Sequence, residues 1–267
     1  MNQDQRLDYL VQTLLNERED AGDITVPKDY GGKRKLLRAL VNVRPPAPAD
    51  EEFLKVQDEF LQIENTDRGI VDVMALPAVT ADSRISLWRG DICRLKTGAI
   101  VNAANSQMLG CFIPGHNCID NAIHTAAGIQ LREACYRLME AQGHEEPTGN
   151  AKVTPGFNLP AKHVIHTVGP IVQGGLTERH ERDLASCYTA CLNAAAENAI
   201  TDLAFCCIST GVFGFPQKRA AEIAVSTVLE YLENNSAITK VVFNVFTDED
   251  YALYRDLLSV SRAGREE

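Results

Sequence analysis

The sequence predicts a three-layer α/β/α fold, a mixed central sheet with helices on both faces, preceded by a small helical extension. From about residue 84 onward, short apolar runs alternate with longer amphipathic stretches, the order expected of a layered α/β domain. The first 80 residues show helical periodicity without that alternation. The 267 residues are 45% hydrophobic and 23% charged, which excludes disorder, collagen and coiled coil as whole-chain readings. We therefore expect an extension over 1–80 and a domain over 81–267.

In the extension, Tyr9, Leu10, Leu14 and Leu15 share a helical face, and Leu36, Leu37, Leu40 and Val41 form a second stripe. The stretch Arg44-Pro45-Pro46-Ala47-Pro48-Ala49-Asp50 breaks the chain, and Phe53, Val56, Phe60 and Leu61 mark a third helix. Beyond it, Ile85 to Trp88 and Ala99 to Asn102 read as strands. Residues 119–142 carry helical spacing interrupted at Gly128. Residues 162–168 read as a strand, 179–198 as a helix, and 202–208 as an apolar strand. A helix over 216–232 has proline near its start, 240–246 is a strand, and 248–258 is a closing helix with an acidic start. In such folds ligands bind at the loops beyond the strand ends.

Net charge and cysteine usage narrow the function classes. A formal charge of −10 with no long basic run argues against nucleic acid as the main partner, since that binding rests on neutralised phosphates. No apolar run approaches the ~18–20 residues that span a bilayer, and the first residues lack the layout of a signal peptide. We expect no membrane partner and a cytoplasmic location. The eight cysteines then read as buried thiols, metal ligands or reactive groups.

Four constellations can carry chemistry. Asp91 and Ile92 follow a strand end, where a carboxylate can accept from a ligand amine while nearby amides stay free; the alternative is a local cap. Val101-Asn102-Ala103-Ala104-Asn105 ends a strand with two amides suited to ribose hydroxyls, or closes it as an Asx turn. Ser209-Thr210-Gly211-Val212-Phe213-Gly214-Phe215-Pro216 joins a strand to a helix, and its two glycines allow amides to turn toward an anion near a helix start. It has neither the Walker A ending nor the G-x-G-x-x-G fingerprint, which disfavours a nicotinamide oxidoreductase.

The fourth is Cys111-Phe112-Ile113-Pro114-Gly115-His116-Asn117-Cys118. Two thiols and an imidazole within eight residues form a plausible zinc set with an open fourth position, the catalytic pattern; the alternative is two packed cysteines and a surface histidine. His124, His163 and His166 read as satisfied histidines of a helix and a strand, and Cys187, Cys191, Cys206 and Cys207 as core.

Together with the Asp120-Asn121-Ala122-Ile123-His124-Thr125-Ala126-Ala127-Gly128 helix and His166-Thr167-Val168-Gly169-Pro170, these segments resemble the macrodomain family, in the family's order and over roughly 84–260. The Gly110 to Cys118 loop looks like that of the zinc-containing ADP-ribosylhydrolases of bacterial and fungal pathogens, which also carry a helical N-terminal extension. The resemblance implies that Asp91 and Ile92 hold the adenine. It implies that Ser209, Thr210, Gly211, Val212, Phe213, Gly214 and Phe215 wrap the diphosphate and distal ribose, with Phe215 on the sugar. Asn105 would place the distal ribose beside zinc on Cys111, His116 and Cys118, with Asn105 and Asp120 as catalytic residues.

The function implied is a zinc-dependent hydrolase removing mono-ADP-ribose from protein side-chain oxygens. The expected partners are a mono-ADP-ribosylated protein, by resemblance a lipoylated H-like carrier protein, and a sirtuin-type ADP-ribosyltransferase, with ADP-ribose as product. The competing reading is a non-catalytic ADP-ribose reader whose zinc staples the loop.

Overall fold

The structure is a computed structural model that describes residues 1–259. Its first part is three helices: α1 (Gln3–Asn16), α2 (Tyr30–Val43) and α3 (Glu51–Asp67). The first starts in a reciprocal cap between Asn2 and Gln5, and Asp29 caps the second by accepting from the Gly32 amide. Glu51 and Glu52 place negative charge at the start of the third, where the helix dipole favours it. The apolar stripes meet as expected, with Leu7, Leu10, Leu14, Leu37, Leu40, Phe53 and Phe60 in a small core that Ile129 closes from outside.

The change of core falls earlier than residue 80. Val73 and Ala81 already belong to the larger core, and β1 (Val71–Asp72) pairs in parallel with β3 (Leu95–Lys96). That connection is too short and turn-rich to show a period, so the sequence does not say which core it joins.

The main sheet contains β2 (Ile85–Arg89), β4 (Ala99–Ala104), β5 (Ala151–Pro155), β6 (His163–Val168), β7 (Asp202–Phe205) and β8 (Lys240–Val245), in the order β2-β8-β7-β4-β6-β5. All its pairings are parallel except β5 with β6. Strand β8 is buried along its whole length, as a central parallel strand covered on both faces must be. The outer side of β2 is lined by the chain before it: Val79 donates its amide to Ile85, and Ser86 Oγ donates to the Pro77 carbonyl. The other outer strand, β5, ends in Pro155 and carries Lys152 paired to Glu146.

Alternation along β6 separates the two helical layers. His166 faces α4 (Ile119–Ala127) and α5 (Ile129–Gln142), its Nε2 lying 3.7 Å from Cys135 Sγ. The opposite face of β6 meets the other layer, where Cys187 of α6 (Glu178–Glu197) donates its Sγ to the Val168 carbonyl at 3.4 Å; α7 (Gln217–Asn234) and α8 (Asp248–Ser259) continue that layer. Gly128 divides α4 from α5 at φ +98°, and a Cβ there would lie 2.7 Å from both Gln130 Oε1 and Gln57 Nε2. The docked extension reads this joint through Gln57, whose Oε1 accepts the Ile129 amide and whose Nε2 donates to Gln130.

Two strand expectations change. β7 stops at Phe205, and residues 206–208 leave the sheet while Cys206 and Ile208 stay buried, because an apolar run reports burial whether or not it is paired. β5 is an addition, since Ala-Lys-Val-Thr-Pro offers a single large apolar residue to an edge position.

Candidate functional site

The parallel strands end on one side of the sheet, and the segments singled out by sequence follow those ends: Asp91 after β2, Asn105 after β4, Gly169 after β6, Ser209 beyond β7. Asp91 is half-buried and caps the turn after β2 by accepting the Cys93 amide at 3.0 Å. Ile92 is buried, so only its backbone can serve a ligand.

Residues 209–215 fold as a tight loop. Phe215 donates its amide to Ser209, Gly214 to Gly211, and the Phe213 carbonyl accepts from Val172. Ser209 has φ +64°, and its buried Oγ has no hydrogen-bond partner among the described residues. The successive amides of Ser209, Thr210, Gly211, Val212 and Phe213 donate to no acceptor among the described residues, the arrangement that receives phosphate oxygens. The Phe215 ring, expected on the sugar, is instead sunk in the main core at 2% exposed: its apolar face is worth more there than at an open edge. An aromatic that sequence reasoning passed over lies at the edge instead. Phe246 directly follows β8 and is 77% exposed, next to the Asp91 turn through the Gly90 amide, which donates to Val245. Its only signal in sequence is a lone aromatic ending an apolar strand.

Asn105 is half-buried and spends most of its side chain locally. Oδ1 accepts the amides of Gln107 and Met108 at 3.1 Å, and Nδ2 donates to the Gly110 carbonyl at 3.1 Å. The Asx turn thus fixes the residue immediately before Cys111.

Beyond it, Cys111, His116 and Cys118 converge as a half-buried group, their donor atoms all within 4.8 Å of one another and Cys111 Sγ 3.4 Å from His116 Nδ1. Cys118 also caps α4, its Sγ accepting the Asn121 amide at 3.4 Å. Burial, with Cys111 alongside, pushes the Cys118 thiol up to about 11. Two thiols and an imidazole within reach of one centre, one thiol at a helix start, fit a thiophilic cation such as zinc.

Asp120, in the first turn of α4 and 6% exposed, accepts from Asn102 Nδ2 at 2.8 Å, with His124 Nε2 3.4 Å away. Burial pushes its carboxyl up to about 6, against the lowering pull of Asn102 and Arg132. Its side chain therefore faces the sheet beneath the helix. Asn102 also donates to His166 Nδ1 at 3.2 Å, which leaves the proton of neutral His166 on Nε2, 2.9 Å from Thr154 Oγ1. His166 is thus satisfied as expected, whereas buried His124 has no hydrogen-bond partner for either ring nitrogen among the described residues. His124, Cys135 and His166 form a second donor group, but both His166 nitrogens already have partners.

Two crevices lie elsewhere, one between the extension and α4–α5 around Arg44, His124 and Arg132, the other within the extension against Thr125. The strand-end edge is an open surface with Val212 and Phe246 each 77% exposed.

The chain is similar to known proteins over nearly all of its length. The Macro domain family matches residues 101–224. A "Protein-ADP-ribose hydrolase" of Treponema medium is 52% identical over 261 residues, 97% of this chain and 100% of that protein. One of Staphylococcus aureus with the same name is 47% identical over 255 residues, 95% of each. A "Probable bifunctional ADP-ribose hydrolase/ADP-ribosyltransferase" of Fusarium oxysporum f. sp. cubense is 44% identical over 87% of this chain, which spans 42% of that longer protein. Among solved structures, an Oceanobacillus iheyensis macrodomain with ADP is 38% identical at TM-score 0.59, covering 64% of this chain and 88% of its own. A Trypanosoma brucei macrodomain in complex with ADP-ribose is 30% identical at TM-score 0.63, covering 82% and 94%.

Proposed function

The chain belongs to the macrodomain family, and from that premise we propose that it is a protein mono-ADP-ribosylhydrolase that works with zinc on Cys111, His116 and Cys118. The names of the Treponema and Staphylococcus relatives support the hydrolase. The observation that carries the zinc-dependent form is the placement of the three donors, within 4.8 Å of one another on the loop that Asn105 anchors at the ligand edge.

ADP-ribose lies along that edge. Asp91 accepts from the adenine amine, the exposed Phe246 ring offers a stacking face, and the free amides from Ser209 to Phe213 receive the diphosphate. The remaining Asn105 donor orients the distal ribose toward the three donors. Bound zinc supplies Lewis acidity, which activates a water or polarises a substrate oxygen. Asp120 acts as a positioning residue, through the α4 N-terminus and Asn102. Loss of the protein side-chain oxygen proceeds through an oxocarbenium-like sugar, so fixing the ribose and presenting water are the enzyme's main contributions.

The substrate is a mono-ADP-ribosylated protein, in this reading a lipoylated H-like carrier modified by a sirtuin-type transferase. The two names borne by the Fusarium relative support a transferase as functional neighbour. The eight cysteines are free thiols, which supports a cytoplasmic setting. No helix of the described residues is long and apolar enough to cross a membrane.

The test is release of free ADP-ribose from a mono-ADP-ribosylated protein, with zinc content measured on the same sample. Release that follows zinc occupancy and disappears in Cys118→Ala supports the reading. Binding of ADP-ribose without release would make the chain a reader and the zinc a loop staple.

A further inference from the structure

The loop from Gly110 to Cys118 has no regular structure, so its backbone polar groups need partners from outside. Several come from α2, more than seventy positions earlier. The Arg38 guanidinium donates from Nη2 to the His116 carbonyl at 2.9 Å, and from Nε and Nη2 to Asn121 Oδ1 at 3.1 and 2.8 Å. Asn121 passes this hold on: its amide donates to Cys118 Sγ and its Nδ2 to the Ile113 carbonyl at 3.1 Å. Asn42, 1% exposed, accepts the Gly115 amide on Oδ1 at 2.9 Å and donates to Thr125 Oγ1 at 3.1 Å. Gly115 sits at φ +66°, a conformation that favours glycine, so the bend between Cys111 and His116 is held where the chain reverses.

The start of the loop is tied to the same helix through Arg132 of α5. Its Nε donates to the Leu109 carbonyl at 2.7 Å, its guanidinium lies 4.2 Å from the Phe112 ring centroid, and its Nη1 donates to the carbonyls of Val41 and Arg44 at the end of α2. A cation there also complements the α2 dipole. Both ends of the donor loop thus rest on one helix of the extension.

We propose that α2 is part of the metal site, with Arg38 and Asn42 as positioning residues that hold Cys111, His116 and Cys118 in ligating geometry and thereby set the affinity for the metal. The inference rests on the zinc reading above and gives the extension a role in it. Supporting groups of this kind change metal affinity by roughly 10–100-fold when removed.

The experiment measures zinc affinity by chelator competition on full-length wild type, Arg38→Ala, Asn42→Ala and a control, Arg6→Ala. The control breaks the Arg6–Glu59 pair inside the extension without touching the loop. ADP-ribose affinity and the metal-free melting temperature are measured alongside. Arg38 is half-buried and Asn42 buried, and the metal-free melting temperature shows that each variant is folded before its zinc affinity is read. Expected are a loss of at least about tenfold in zinc affinity for Arg38→Ala and Asn42→Ala, ADP-ribose affinity within twofold of wild type, and Arg6→Ala unchanged in zinc affinity. Arg38→Gln, which keeps one donor, falls between. Zinc affinity within twofold of wild type in both alanine variants, or an equal loss in Arg6→Ala, overturns the proposal. If wild type itself binds no zinc, the zinc reading fails and the clamp with it. If the affinities fall as expected but wild type releases no ADP-ribose, the hydrolase alone fails and the clamp stands.

Discussion

On the function proposed above, Phe246 serves binding and Cys118 serves turnover. Removing the exposed Phe246 ring takes away a stacking face, worth about 1–3 kcal/mol per base, so Phe246→Ala weakens ADP-ribose binding roughly tenfold or more in calorimetry. Zinc content stays unchanged. Cys118→Ala has the opposite profile: zinc and release of ADP-ribose are lost while ADP-ribose affinity changes little. The three donors were legible in the sequence because they fall within eight consecutive residues. Arg38 and Asn42 were not, since an arginine and an asparagine on an amphipathic helix read as a solvated face until the fold sets them against a loop 73 to 78 positions away. Phe215 shows the converse, a ring that the resemblance offers to a ligand but that the core claims.

At the scale of elements, Gly128 is the joint on which α4 and α5 turn. Gly128→Ala forces a side chain into a glycine-only conformation and against Gln57 and Gln130, and costs roughly 1–3 kcal/mol in denaturant unfolding. The break there was readable, as were the extension helices, because long periodic stretches flank recognisable punctuation. β5 escaped because an edge strand with one large apolar residue carries no period, and β7 was drawn too long because buried loop and buried strand share a composition. The larger core was harder to delimit at its start, where a two-residue pairing of β1 with β3 decides membership and leaves no pattern behind.

Across the whole molecule, two buried histidines couple stability to pH. Burial lowers His166 from an ordinary 6.5 to about 3, and burial with neighbouring His166 and Arg132 holds His124 well below its ordinary value. The unfolded chain therefore binds protons near pH 6.5 that the folded chain refuses. The His166 contribution is present above pH 6.5 and is lost as pH falls toward 3, at about 1.4 kcal/mol per pH unit, and His124 acts in the same direction. Between pH 6.5 and 5, His166 alone accounts for about 2 kcal/mol. Below about pH 6 the raised carboxyl of Asp120 acts in the opposite sense, so denaturant titrations should show a fall toward acid smaller than the histidines alone give, and His166→Gln should flatten it further while lowering stability at pH 7.

The closed outer strands of the sheet bear on how a client protein is met. With β2 lined by its own upstream chain and β5 ending in Pro155 and carrying the charged Lys152, both sides discourage pairing with an incoming strand. On the function proposed above, recognition of a modified polypeptide passes through the loops at the strand ends and reads the sugar and its immediate anchor. Such an enzyme tolerates clients of unrelated backbone shape, provided each can present its modified side chain clear of its own surface.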